Sequence, residues 1–211
     1  MITEIENRRG QELKKNLYFI RHGQSEANIT LTGGGDPSLT KSGVEQAIVT
    51  GNELKQHFDS MGCAPVAFIH TGTIRSMQTL EKISEFFGSD LTHIKMADFQ
   101  ERGLGEYEKK DLENILKVPE LAGLYEKFGP SCVWFLKSED KGIELLSAMY
   151  ERIKKGVLDL RIKYESLPII VIGHAGSIKI ARRIYESDNA ENLADYLASF
   201  VPNNCEIYKL G

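Results

Sequence analysis

Leu17-Tyr18-Phe19-Ile20-Arg21-His22-Gly23 and Ile169-Ile170-Val171-Ile172-Gly173-His174-Ala175-Gly176 share one form: a short unbroken apolar run, then a histidine, then a small residue. Four apolar residues in succession, with no polar alternation, read as a strand covered on both faces. Val66-Ala67-Phe68-Ile69 repeats the pattern and is followed directly by His70. Between these runs the apolar residues fall at helical spacing: from about Gly43 to Phe58, Ile74 to Phe87, Ile143 to Tyr164, Ser177 to Glu186 and Glu191 to Phe200. Further strands are expected near Leu91–Met96 and Glu206–Leu210. Strands alternating with helices predict an α/β fold, a mostly parallel central sheet with helices on both faces. In such a sheet ligands bind beyond the carboxyl ends of the strands, where the strand order reverses, so the active site is expected at the C-terminal edge.

The 211 residues suit one domain. Residues 1–16 lack sustained apolar periodicity and read as a loose N-terminal extension; 17–211 read as a single domain carrying an irregular insertion, or lid, over about 98–142. The chain has 26 Lys and Arg against 30 Asp and Glu, a formal net charge of −4. That balance argues against bulk nucleic-acid binding, which calls for a basic surface. No apolar run approaches the roughly 20 residues that span a bilayer, and the polar start MITEIENRRGQELKK does not resemble a secretory signal, so no membrane association is expected. Three dispersed cysteines, Cys63, Cys132 and Cys205, form no CxxC pair and suit a reducing, cytoplasmic setting. Nothing in the sequence fixes an oligomeric state.

His22 and His174 lie 152 positions apart yet occupy equivalent strand ends, so they are expected to face one another. Arg21 adjoins the first, and Arg75 opens the helix after the second strand; guanidinium presents a fork suited to phosphate oxygens. The helix expected after His174 directs free N–H groups to the same edge. Two imidazoles, two guanidiniums and a helix start make a pocket for a dianion, and a small phosphorylated molecule is the expected partner. A neutral imidazole is a nucleophile near pH 7, and its attack on phosphorus divides a hard hydrolysis into two easier steps. Glu101, in the loop after the third strand, is the candidate general acid and base. His70 reads as an ordinary hydrogen-bonded loop residue, and His57 and His93 carry no role.

Arg21-His22-Gly23-Gln24-Ser25-Glu26-Ala27-Asn28 resembles the RHG signature of the histidine phosphatase superfamily, which includes cofactor-dependent phosphoglycerate mutases, fructose-2,6-bisphosphatases and broad-specificity phosphatases. Thr32-Gly33, Asp36 and Leu39-Thr40 resemble the substrate loop of the mutase branch. Thr71 with Arg75, Gln78 and Thr79 is similar to the S-x-x-x-R-x-x-Q-T segment, with threonine for the usual serine. Glu101-Arg102-Gly103-Leu104-Gly105 resembles the E-R-x-x-G acid motif. Glu144 and Arg152 keep the spacing of a further motif, although Leu145 replaces its serine. Gly173-His174-Ala175-Gly176 resembles the second-histidine motif, so the likeness runs over about residues 17–210.

The resemblance implies that His22 is phosphorylated, that Arg21, Arg75 and His174 hold the phosphoryl group, and that Glu101 is the acid and base. Asn28, Thr32, Gly33, Arg102 and Ala175 would line the substrate pocket. It implies no metal and no organic cofactor, because cationic side chains do the work that Mg²⁺ does elsewhere. A mutase must hold a second phosphate, and the mutase branch supplies a lysine shortly after the acid motif and an arginine pair beyond it. Here Leu112 falls near the lysine position, Lys109 and Lys110 come slightly early, and residues 110–141 hold no arginine. Hydrolysis of a phosphomonoester is therefore expected, with mutase activity as the alternative and a non-catalytic phospho-ligand module behind both.

Overall fold

The computed structural model describes residues 2–5, 17–88, 91–137, 141–165 and 167–210. Among these, six strands form one sheet: β1 (Ile2–Ile5), β2 (Leu17–Arg21), β3 (Ala67–His70), β4 (Thr92–Lys95), β5 (Ile169–Gly173) and β6 (Ile207–Leu210). Their order is β1-β6-β2-β5-β3-β4. β2, β5, β3 and β4 run parallel, whereas β6 is antiparallel to β2 and carries β1 parallel on its outer side.

The two strands read first are the two central neighbours, paired in register from Leu17↔Ile169 to Arg21↔Gly173. Every residue of β5 is buried. Alternate side chains feed two cores. Tyr18, Ile20, Phe68, Ile170 and Ile172 meet Leu54 and Phe58 of α2 (Lys41–Ser60) and Leu80 and Ile83 of α3 (Ile74–Ser84). On the other face Leu17, Phe19, Ile69, Ile169 and Val171 meet α6 (Leu146–Tyr164), α7 (Ala175–Glu186) and α8 (Leu193–Ala198). This two-sided cover is why the strand sequences show no polar alternation.

Two expectations change, and one element is new. The N-terminal extension is not loose throughout, because residues 2–5 form β1, while residues 6–16 lie outside the described residues. Four residues are too few to show a period, and what orders them is the unpaired edge of β6. The segment after His22 holds a short helix, α1 (Glu26–Thr30), that its turn-rich flank concealed. The last large helix starts at Ala175 rather than Ser177, which makes His174 its N-cap.

The insertion expected over 98–142 contains α4 (Leu112–Ile115), α5 (Ala122–Phe128) and a 3₁₀ stretch at Gly129–Phe135. It packs a small core of its own around Leu104, Tyr107, Ile115, Leu121, Cys132, Leu136 and Ile143. Its two ends meet in an antiparallel bridge, Leu104↔Ile143.

Candidate active site

The chain leaves β2 toward β3 and leaves β5 toward β6, that is, in opposite directions across the sheet. The gap between β2 and β5 is thus the switch point of the strand order, where a crevice opens at the carboxyl ends. His22 and His174 stand there, 4% and 1% exposed, with ring centroids 5.1 Å apart.

His22 is held from three sides. Its N–H donates to the Gly173 carbonyl at 3.1 Å, and its own carbonyl accepts from Asn204 Nδ2 at 2.9 Å. The ring Nδ1 donates to the Gly23 carbonyl at 2.8 Å, which assigns the proton to Nδ1 and leaves the lone pair on Nε2, where Arg75 Nε donates at 3.2 Å. Burial, followed by the charge of Arg75, pushes the imidazole down to about 3, so the resting ring is neutral. Gly23 permits this seating, because a Cβ there would overlap the Gly43 carbonyl at the start of α2.

His174 is fixed by a chain of hydroxyls. Ser76 donates to the Thr73 carbonyl and accepts from Thr71, so Thr71 Oγ1 accepts from His174 Nε2 at 3.0 Å. His174 Nδ1 then faces Arg75 Nη2 at 3.4 Å. Burial, then His22, Arg75, Arg21 and Arg152, hold this ring well below the usual histidine value. Arg75 thereby bridges both imidazoles, and its third nitrogen donates to the Gly35 carbonyl at 3.0 Å.

Arg21 donates through Nη1 to the Pro202 carbonyl at 2.6 Å. Its Nε is the one buried side-chain nitrogen or oxygen without a partner among the described residues. An unmatched buried donor costs about 1–3 kcal/mol, a cost that a bound anion removes. Glu101 accepts at Oε2 from the Gly176 N–H at 3.0 Å, in the first turn of α7, and at Oε1 from the Arg102 N–H at 3.1 Å. Arg152, paired with Glu144 at 2.5 Å, donates to the carbonyls of Asp98, Gln100 and Glu101 and so braces the loop that carries Glu101. Among the described residues no group of three or more His, Cys, Asp or Glu side chains gathers as a metal site, and no helix is long and apolar enough to cross a membrane.

Of the residues expected to line the substrate pocket, Asn28, Thr32, Gly33, Arg102 and Ala175 all border a cleft of about 450 Å³, together with Arg21 and Glu101. His22, Arg75 and His174 lie beside this cleft rather than on its wall; Arg21 and Ala175 are their chain neighbours in it. Asn28 accepts at Oδ1 from the Ser25 N–H at 2.9 Å and from Asn204 Nδ2 at 3.3 Å. Arg102 differs from its expected role. Its guanidinium donates to the carbonyls of Glu144, Val133, Trp134 and Leu136, and burial lowers it to about 10. It clamps the insertion to the loop that carries Glu101 and spends its donors on those carbonyls.

Among the lining residues that escaped the sequence reading, two bear on the site's chemistry. Asn204 ties His22 to Asn28, but as Asn203-Asn204 it reads only as a turn. Lys179, 1% exposed, donates Nζ to the Leu197 carbonyl and is lowered to about 8 by burial. A cation between Ile178 and Ile180, within a run of buried helix residues, was the available sign.

A model of the histidine phosphatase superfamily (branch 1) matches residues 17–211. The 2,3-bisphosphoglycerate-dependent phosphoglycerate mutase of Bartonella tribocorum is 38% identical over 95 residues, 44% of each chain. The chain spans a little under half the length of the curated relatives it matches. In fold it is similar to phosphoglycerate mutase from Bacillus anthracis (TM-score 0.72, 20% identity, covering 93% of this chain and 88% of that one). It is also similar to a mycobacterial glucosyl-3-phosphoglycerate phosphatase solved with VO3 (TM-score 0.69, 19% identity, 92% and 89%). Paired histidines at the switch point, bridged by one arginine, thus coincide with a family match over all of residues 17–211, and the chain belongs to the histidine phosphatase superfamily, branch 1.

Proposed function

We propose that this protein is a phosphatase that hydrolyses a phosphomonoester through a phosphohistidine on His22, without a metal. The observation that carries the reading is the His22 ring: neutral, its Nδ1 proton held by the Gly23 carbonyl, its Nε2 lone pair directed at a guanidinium. In the first step Nε2 bonds to phosphorus as the ester P–O bond breaks, and Glu101 gives its proton to the departing alcohol oxygen. In the second step Glu101 takes a proton from water, the water oxygen bonds to phosphorus, and the P–N bond breaks to release inorganic phosphate. Arg75, Arg21 and His174 meet the negative charge on the phosphoryl oxygens. Burial first, and then the neighbouring charges, keep His174 neutral; a bound dianion offsets those charges, so the ring takes a proton from solvent as the substrate enters and presents it to a phosphoryl oxygen. Asn28, Thr32, Gly33 and Ala175 border the substrate, and Arg102 acts by holding the insertion.

Mutase activity is the second reading, favoured by the names of the curated relatives. Against it, Leu112 borders the cleft where a lysine would meet a second phosphate, and Lys110 lies over the Tyr107 ring, 5.1 Å from its centroid. The deciding experiment measures inorganic phosphate from a panel of phosphomonoesters in EDTA, with His22→Ala alongside. Release by the wild type and a loss of at least about 10³-fold in the variant is expected. Interconversion of phosphoglycerates primed by their bisphosphate, without phosphate release, would replace the phosphatase reading by the mutase one.

A further inference from the structure

We propose that the cleft beside the paired imidazoles is an apolar leaving-group subsite, selecting phosphomonoesters whose organic part is apolar, about benzyl in size, and carries no second charge. As a statement about turnover this rests on the phosphatase reading; as a statement about binding it does not.

Apolar side chains dominate the wall: Leu31, Leu104, Leu112, Ile115, Val133 and Trp134. Leu31 is 51% exposed at the rim, an apolar surface that a ligand would cover. The cations on the wall are Arg21, Arg102 and Lys179. Arg102 is committed to four backbone carbonyls. Lys179 donates to the Leu197 carbonyl and lies 5.5 Å from the Trp134 ring and 5.3 Å from the Phe200 ring. That leaves Arg21, whose unmatched Nε belongs to the phosphoryl side of the site. A second phosphate or a carboxylate entering this space would shed its water to gain at most the remaining protons of a buried, ring-packed ammonium, with the Glu101 side chain on the same wall. An apolar group sheds water at a gain. A volume of about 450 Å³ admits a ring and its linking carbon with room to spare.

Two arms test this on the intact protein. Turnover compares benzyl phosphate with glycerol 1-phosphate and 3-phosphoglycerate, all esters of aliphatic alcohols, so leaving-group reactivity does not decide the ranking. Binding compares benzylphosphonate with phosphonoacetate by calorimetry and needs no catalysis. At least a tenfold preference for the benzyl compound is expected in both arms. Leu31→Lys, at an exposed position that leaves the core intact, should narrow both preferences several-fold, and Leu112→Lys should do the same from inside the cleft. Equal or better use of 3-phosphoglycerate, with phosphonoacetate binding as tightly as benzylphosphonate, would overturn the subsite while leaving the phosphatase reading standing. If no compound releases phosphate, the phosphatase reading falls and the binding arm alone decides the subsite: a benzylphosphonate preference upholds it, and parity removes it.

Discussion

Arg75 touches both imidazoles and is itself anchored on a backbone carbonyl, so the two rings, held neutral first by burial, also sit in a field of fixed positive charge. That neutrality has a consequence for stability. In the unfolded chain His22 and His174 take up protons as the pH falls through about 6.5, whereas in the fold His22 resists until about 3 and His174 is likewise well below the usual value. Below pH 6.5 the unfolded state therefore binds more protons than the native state, and stability falls with falling pH, by about 1.4 kcal/mol per pH unit for each histidine. Urea midpoints from pH 7.5 to 5 should be flat above about 7 and then decline, and His22→Asn should flatten part of the decline; an unchanged slope would mean that His22 is not held neutral. Glu101→Gln tests the proton donor. It should cost about 10²-fold or more on an alkyl phosphate and far less on p-nitrophenyl phosphate, whose leaving group needs no proton. Equal losses on the two would take Glu101 out of that role. At this scale the sequence was legible where chemistry and position coincide, as in His22, Arg75 and His174. It was not legible for Arg102, because a guanidinium beside an acid reads alike whether it faces a ligand or, as here, four carbonyls.

Among the elements, α7 does more than follow β5. Its first turn gives the Gly176 N–H to Glu101, and a Cβ on Gly176 would overlap the Glu101 carboxylate and crowd Trp134 and Met149. Gly176→Ala should accordingly lower kcat by about tenfold or more by displacing the acid, because misplacement of about 1 Å suffices for losses of that order. A crystal structure of the variant should show the carboxylate moved; unchanged activity would detach the helix start from catalysis. The strands at the sheet centre were readable because burial on both faces leaves unbroken apolar runs, as in Ile169–Ile172. The short helix α1 was not. Its order comes from Ser25 and Asn28 bonding one another and from a bridge between Ser25 and Leu39, contacts that no periodicity announces.

Over the whole molecule, the four parallel strands carry the site, while β6 and β1 close one side of the sheet. Ile2 packs against the core shared with α2 and α3, and β1 covers the outer edge of β6. Removing residues 1–5 should therefore cost about 1 kcal/mol and lower Tm by about 2–4 °C, read by calorimetry. It should leave kcat unchanged, since His22, Arg75, Glu101 and His174 follow β2, β3, β4 and β5 rather than the added strand; an unaltered Tm would mean β1 adds nothing. The antiparallel bridge between Leu104 and Ile143 has a practical consequence. It brings the entrance and exit of the insertion together just outside Glu101 and Arg102, and the segment between them packs on its own small core. The insertion is thus a cassette with a ready splice point: exchanging residues 105–142 for a differently lined segment would re-tailor what the cleft admits while the two imidazoles stay registered on their central strands.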